Sequence, residues 1–137
     1  MKTRILLCLF SVILAGCSIL QSGPTQVTKT FGWTATGDDG VVGTAAAYSI
    51  RYSTDSSALV NDWTSCTEIP NPPTPKIAGS AETFTATMTL NTGTKYYFAL
   101  KARDEAMNWS LVSNIISFTP PDADPPLRVG DFRFLEP

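Results

Sequence analysis

Few residues of this chain have types and neighbours that suit chemistry. Cys17 is one, a reactive thiol placed straight behind the apolar run Ile5 to Leu14, after which the chain turns polar. A second group is acidic: Asp38 and Asp39 in GDDG, then Asp104, Glu105 and Asn108 with Trp109 beside them. Clustered oxygens suit a hard cation such as calcium, and an exposed tryptophan suits the face of a sugar. The same residues also suit turns, because Asp and Asn bond their own backbone, and Trp109 then caps the core. The turn reading comes first, since short acidic loops are common where turns are needed. Cys66, just after Trp63, has no lysine, arginine or histidine near it in sequence. It reads as a small buried hydrophobe, with Trp63 covering the core. The chain holds no histidine at all, which rules out Ser/His and Cys/His nucleophile pairs. A two-carboxylate glycosidase needs a cleft for its sugar chain, and short loops offer none. No catalytic residue, metal or cofactor is expected.

The first residues have the build of an export signal. Lys2 and Arg4 make a basic start, and the ten residues ILLCLFSVIL that follow are apolar except for one serine. That is about half of the roughly 20 residues a membrane-crossing helix needs. A basic start, a short apolar run and small residues describe a secretory signal. Its end, Leu14-Ala15-Gly16-Cys17, resembles the lipobox of bacterial lipoproteins. The resemblance implies a signal spanning 1–16, a cut before Cys17, a diacylglycerol on its sulfur and often an acyl chain on the new amine. Each buried CH₂ adds about 0.8 kcal/mol, so two or three chains give stable attachment where one does not. Ser18 follows the cysteine. Without the aspartate that holds enteric-type lipoproteins in the inner membrane, the resemblance leans toward the outer membrane, in a cell that has one.

The mature chain would be about 120 residues, enough for one domain with its own core. Loss of Lys2 and Arg4 leaves eight basic residues against twelve acidic, a net charge of about −4. Nothing basic is clustered, which argues against nucleic acid. Cys8 leaves with the signal and Cys17 is consumed by lipid, so Cys66 has no partner for an intrachain disulfide. The core alone must hold the domain.

Residues 17–27 read as the lipidated cysteine and a tether. Beyond them, short alternating runs separated by turn signals predict strands: Thr28 to Thr36, Ala46 to Thr54, Thr83 to Leu90, Lys95 to Arg103 and Asn114 to Phe118. The stretch around Trp63 and Cys66 is irregular, and no amphipathic helix of useful length is visible. Pro70 to Pro75 cannot sit in a central strand, because proline lacks the ladder donor. It suits a guarded sheet edge more than a polyproline ligand. The pattern is that of an all-β, antiparallel sandwich.

On these residues the chain resembles a fibronectin type III domain over 28–120. Trp33 on an early strand is similar to that family's core tryptophan. Leu90-Asn91-Thr92-Gly93-Thr94-Lys95-Tyr96 resembles its tyrosine corner, with Thr92 where the family usually has proline. The resemblance implies an immunoglobulin-like β-sandwich in which the Tyr96 hydroxyl bonds backbone a few residues upstream. It also implies that the loop holding Asp38 and Asp39 shares a pole with the loop holding Asp104 to Trp109. The family's first strand, A, is missing or replaced. Yet the Pro-rich linker and tail, 121–137, ends in PPLRVGDFRFLEP, whose Val129, Phe132 and Phe134 resemble such an opening strand. Three fates are open to it: loose packing, donation to a second molecule, or return to its own domain. Return in the family's usual direction would require a climb back along the sandwich.

The expected function is a lipid-anchored cell-envelope binding or spacer module without catalysis. Its partners would be the membrane, through the anchor, and an envelope protein or polysaccharide, with no nucleic acid. The alternative is a truncated tandem-array unit that self-associates weakly through its C-terminal strand. A carbohydrate-active or metal-binding protein is the third reading.

Overall fold

The computed structural model describes residues 23–122 and residue 130. The expected signal, Cys17 and most of the 121–137 tail lie outside them. The elements in chain order are β1 (Pro24–Thr34), β2 (Ala47–Ser53), α1 (Ser56–Asn61), a 3-10 turn (Trp63–Ser65), β3 (Thr67–Ile69), β4 (Ala81–Asn91), β5 (Tyr96–Arg103) and β6 (Ile116–Phe118). They form two antiparallel sheets, one of order β1-β4 and one of order β3-β2-β5-β6. The all-β expectation therefore holds.

β4 shows why the sequence folds this way. Its threonines 83, 85, 87 and 89 are exposed, while Glu82, Ala86, Met88 and Leu90 are buried. β1 pairs with it along its whole length, from Pro24 opposite Asn91 to Thr34 opposite Ala81. On the outer face, Thr28 bonds Thr87 and Thr30 bonds Thr85, each hydroxyl pair at 2.8 Å. Cross-strand threonine pairs of this kind stabilise a ladder. The main core lies between the sheets and joins Ile50, Ile69, Met88, Leu90 and Phe98. A smaller one, Leu59, Cys66 and Ala99, lies under α1 on the outer face of the larger sheet.

The structure differs from the sequence expectation in several places, among them β3, which was not expected. β1 begins at Pro24 rather than Thr28, because β4 runs on to Asn91 and gives the tether residues 24–27 partners. Part of the irregular stretch is a helix, α1. The Asp55 carboxylate accepts the Ser57 amide at 2.8 Å and caps it, and Leu59 fills its inner side. Its six residues are too few to show a helical period. The last strand is only Ile116–Phe118. Ahead of it, the amides of Ser110 and Ser113 donate to the Ala102 and Leu100 carbonyls at 2.8 and 3.0 Å, and their hydroxyls stand in for the accepting carbonyls of a ladder. Ser110 Oγ accepts the Ala102 amide and Ser113 Oγ accepts the Leu100 amide, both at 3.0 Å.

The sandwich has two distinct ends. At one lie Pro24, the Asn91–Lys95 turn and Pro120, whose carbonyl accepts the Gly93 amide at 2.9 Å. At the other lie the loops 35–46, 70–80 and 104–109, because β1 and β5 both arrive there.

Candidate functional site

The loop end gathers most of the residues singled out above. The Asp38 amide donates to the Val42 carbonyl at 2.9 Å and the Gly37 amide to the Gly40 carbonyl at 2.9 Å, folding GDDG into a tight turn. A Cβ on Gly37 would collide with the Val42 backbone, so this approach requires glycine. The second loop closes on itself. The Asn108 amide donates to Asp104 Oδ1 at 2.7 Å and the Asn108 side chain to Asp104 Oδ2 at 2.8 Å. Asp38, Asp104, Asn108 and Trp109 line one open cavity of about 240 Å³.

The electrostatics separate the two loops. Hydrogen bonds from Asn108 hold the Asp104 carboxyl below its ordinary value. Asp38 moves the other way: the Glu105 carboxyl beside it, then burial, then the charges of Glu105, Asp39 and Asp104 push its carboxyl up. Oxygen Oδ1 of Asp38 has no hydrogen-bond partner. The fold places Asp38 and Asp39 beside Asp104 and Glu105, but both oxygens of Asp104 accept from Asn108 in the turn. Among the described residues no three carboxylates or thiols are arranged to hold a metal ion. What remains is acceptor oxygen on Asp38 and Glu105, and an aromatic face.

That face is Trp109, which is 47 % exposed. It does not cap the core. Its strand-like bridge to Arg103 lays the guanidinium 5.5 Å over the ring, a cation–π contact at the surface. In the two loops that form the cavity, Val41, Val42 and Met107 are strongly exposed apolar residues, and Leu111 just beyond is exposed as well. Met107 sits at φ 72°, a left-handed backbone uncommon for a residue with a side chain. Sequence reasoning passed over this apolar rim, because exposure of loop tips leaves no periodic signal.

The residues expected to be structural are placed as follows. Trp33 is half-buried, packs on both core clusters beside β1, and meets Tyr48 edge-on at 5.1 Å. Tyr96 is buried, and its hydroxyl accepts the Asn91 amide at 3.0 Å. Cys66 is buried against Leu59, its sulfur 3.6 Å from the Asp62 carbonyl. Trp63 lies between Arg51 and Lys101, 5.9 and 4.9 Å from its ring. Arg51 also donates to the carbonyls of Trp63, Thr64 and Cys66, stapling the 3-10 turn to β2.

Sequence reasoning missed Glu82. It is 2 % exposed and faces inward from β4, opposite Trp33. Its Oε1 accepts the Lys76 amide at 2.6 Å and its Oε2 lies 3.8 Å from the Lys76 ammonium. This ties the proline-rich loop to the sheet. The signal was present: Glu82 occupies the same alternating register as Phe84, Ala86 and Met88. Tyr48 lies near it, and burial first, with the Glu82 charge adding, pushes that phenol up.

No helix among the described residues is long and apolar enough to cross a membrane. Against protein-family models, curated proteins and solved structures, the chain finds no match.

Proposed function

We propose that this chain is a lipoprotein carrying one fibronectin type III-type domain, anchored through Cys17 in a cell envelope, where it works as a binding or spacer module without catalysis. The strand order supports the domain type. Sheets of order β1-β4 and β3-β2-β5-β6 are what such a sandwich has when its first strand is absent. The Tyr96 hydroxyl bonded to the Asn91 amide supports it as well.

The observation that carries the functional reading is the separation of the two ends. Cys17 precedes Pro24 by seven residues, so an anchor there holds the Asn91 end close to the membrane. β1 then runs eleven residues, roughly 36 Å at about 3.3 Å each, to the loop end. The acidic turn, Trp109 and the apolar rim are thereby presented away from the lipid. Loops on a stiff sandwich are a common place for recognition, and the fold itself names no ligand. An envelope protein or polysaccharide is the partner class this placement fits. The alternative, a tandem-array unit that self-associates through its C-terminal strand, draws on the open edge of β1 described below.

The test is metabolic labelling with radioactive fatty acid. Wild-type chain takes up label and sediments with membranes. Cys17→Ser loses the label and the cut before residue 17. Labelling of the mutant at the wild-type level overturns the anchor.

A further inference from the structure

Among the described strands β1 and β4 each keep one unpaired edge, and the edge of β1 lies beside apolar cavities lined by Phe31. Because β1 pairs only with β4 among them, its other edge presents a row of backbone donors and acceptors. Its inward residues Val27, Lys29, Phe31 and Trp33 are all half-buried, although the β4 residues paired with Val27 and Lys29, Met88 and Ala86, are buried. The space beside them is a groove between β1 and the segment leading into β6. Two cavities of about 100 and 210 Å³ lie along it, both lined by Phe31, Phe98 and Ile116. Apolar walls beside an unpaired strand edge are the requirements for adding a strand.

We propose that this groove is a strand-accepting site whose occupant is the chain's own segment Pro125 to Pro137, running alongside β1 from the end where β1 begins. The place where the chain leaves β6 argues for it. Pro120 is fully buried, and its carbonyl holds the Gly93 amide, two residues past the partner of Pro24. The chain therefore departs beside the first residue of β1. A segment rising from there runs parallel to β1 and antiparallel to β6, with no climb back along the sandwich.

Lengths agree. Packed sheets lie about 10 Å apart, and the four residues Pro121 to Asp124 span roughly 13 Å when extended. The thirteen residues from Pro125 to Pro137 then face the eleven of β1. The side-chain pattern also agrees. Leu127 and Val129 share one face of an extended strand, Phe132 and Phe134 the other. Gly130 lies in a bend. One extra residue there, as in a β-bulge, brings all four apolar side chains to the groove.

Lys29 explains why the occupant is not an arbitrary strand. It faces inward from the open edge, its ammonium 3.7 Å over the Phe118 ring. An inward charge on an edge strand disfavours flat pairing with further copies. A segment already attached to the same domain overcomes this through its high effective concentration, in the millimolar range for short linkers.

The experiment uses the full chain in detergent, a version ending at Asp124, and Phe132→Asp/Phe134→Asp. Both variants should melt several degrees lower, by the same amount at every protein concentration, with wild type and variants monomeric by sedimentation. Added peptide 125–137 should restore the melting temperature of the shortened chain. Melting temperatures equal to wild type in both variants overturn the proposal. A wild-type dimer whose stability rises with concentration and disappears with the tail also overturns it, and assigns the groove to the tail of a second copy. If the shortened chain does not fold, the aspartate variant gives the same reading.

Discussion

β1 and β4 are a matched pair with unequal fates. Each has eleven residues, each alternates, and they pair residue for residue. Yet Leu90 is 1 % exposed and Met88 6 %, while no residue of β1 is buried. The alternation is equally good in both strands, so pattern does not explain the difference. Neighbours do: Leu90 and Met88 lie inside a cluster with Ile50 and Ile69 from the facing sheet, whereas Val27, Phe31 and Trp33 of β1 pack only against its margin, and Phe31 and Trp33 also line a groove. Alternation decides which side chains turn inward. The number of elements stacked beyond them decides whether they are covered.

This contrast can be broken most easily at its strong end. Leu90→Ala removes a fully enclosed side chain and should cost about 2–5 kcal/mol. Val27→Ala, on the face of β1 that is half-buried without the tail, should cost about 1 kcal/mol or less in the chain ending at Asp124, since apolar stabilisation scales with area removed from water, and more in the full chain. Urea melts of the shortened chain that show equal losses at the two positions would mean that the β1 face is covered without the tail.

A smaller effect sharpens the contrast between the ends. Tyr96→Phe leaves the Asn91 amide without its acceptor and should cost about 1–3 kcal/mol. An unchanged urea midpoint would show that this hydrogen bond holds nothing together.

Much of this was legible in the residues. Tyr48, Ile50, Phe98 and Leu90 announce an inward face by alternation alone, whereas the nearness of the GDDG loop to the Asp104 loop was expected only from the resemblance to a fibronectin type III domain. Other features were hidden for physical reasons. α1 exists because Asp55 caps it and Leu59 has a pocket, and neither fact shows in a six-residue window. β6 is cut short because the hydroxyls of Ser110 and Ser113, in place of backbone carbonyls, accept the β5 amides, while their own amides still donate to β5, which a strand pattern cannot reveal. The acidic loops were visible as a cluster. That Asn108 occupies both oxygens of Asp104 is a matter of loop geometry. Trp109 was expected to offer its face to a sugar or to cap the core; it is half exposed, with Arg103 over its ring.

Hydrogen exchange of the full chain tests most directly whether the open edge of β1 is a site. Along an antiparallel pair, alternate amides point at the partner and away from it. The β1 amides directed at β4 should be protected in any case. A filled groove protects the other set too, and deletion of Pro125 to Pro137 should speed their exchange by at least about tenfold, leaving the first set slow. If the amides directed away from β4 already exchange in the full chain as fast as in the shortened one, the groove is empty and the tail does not belong in it.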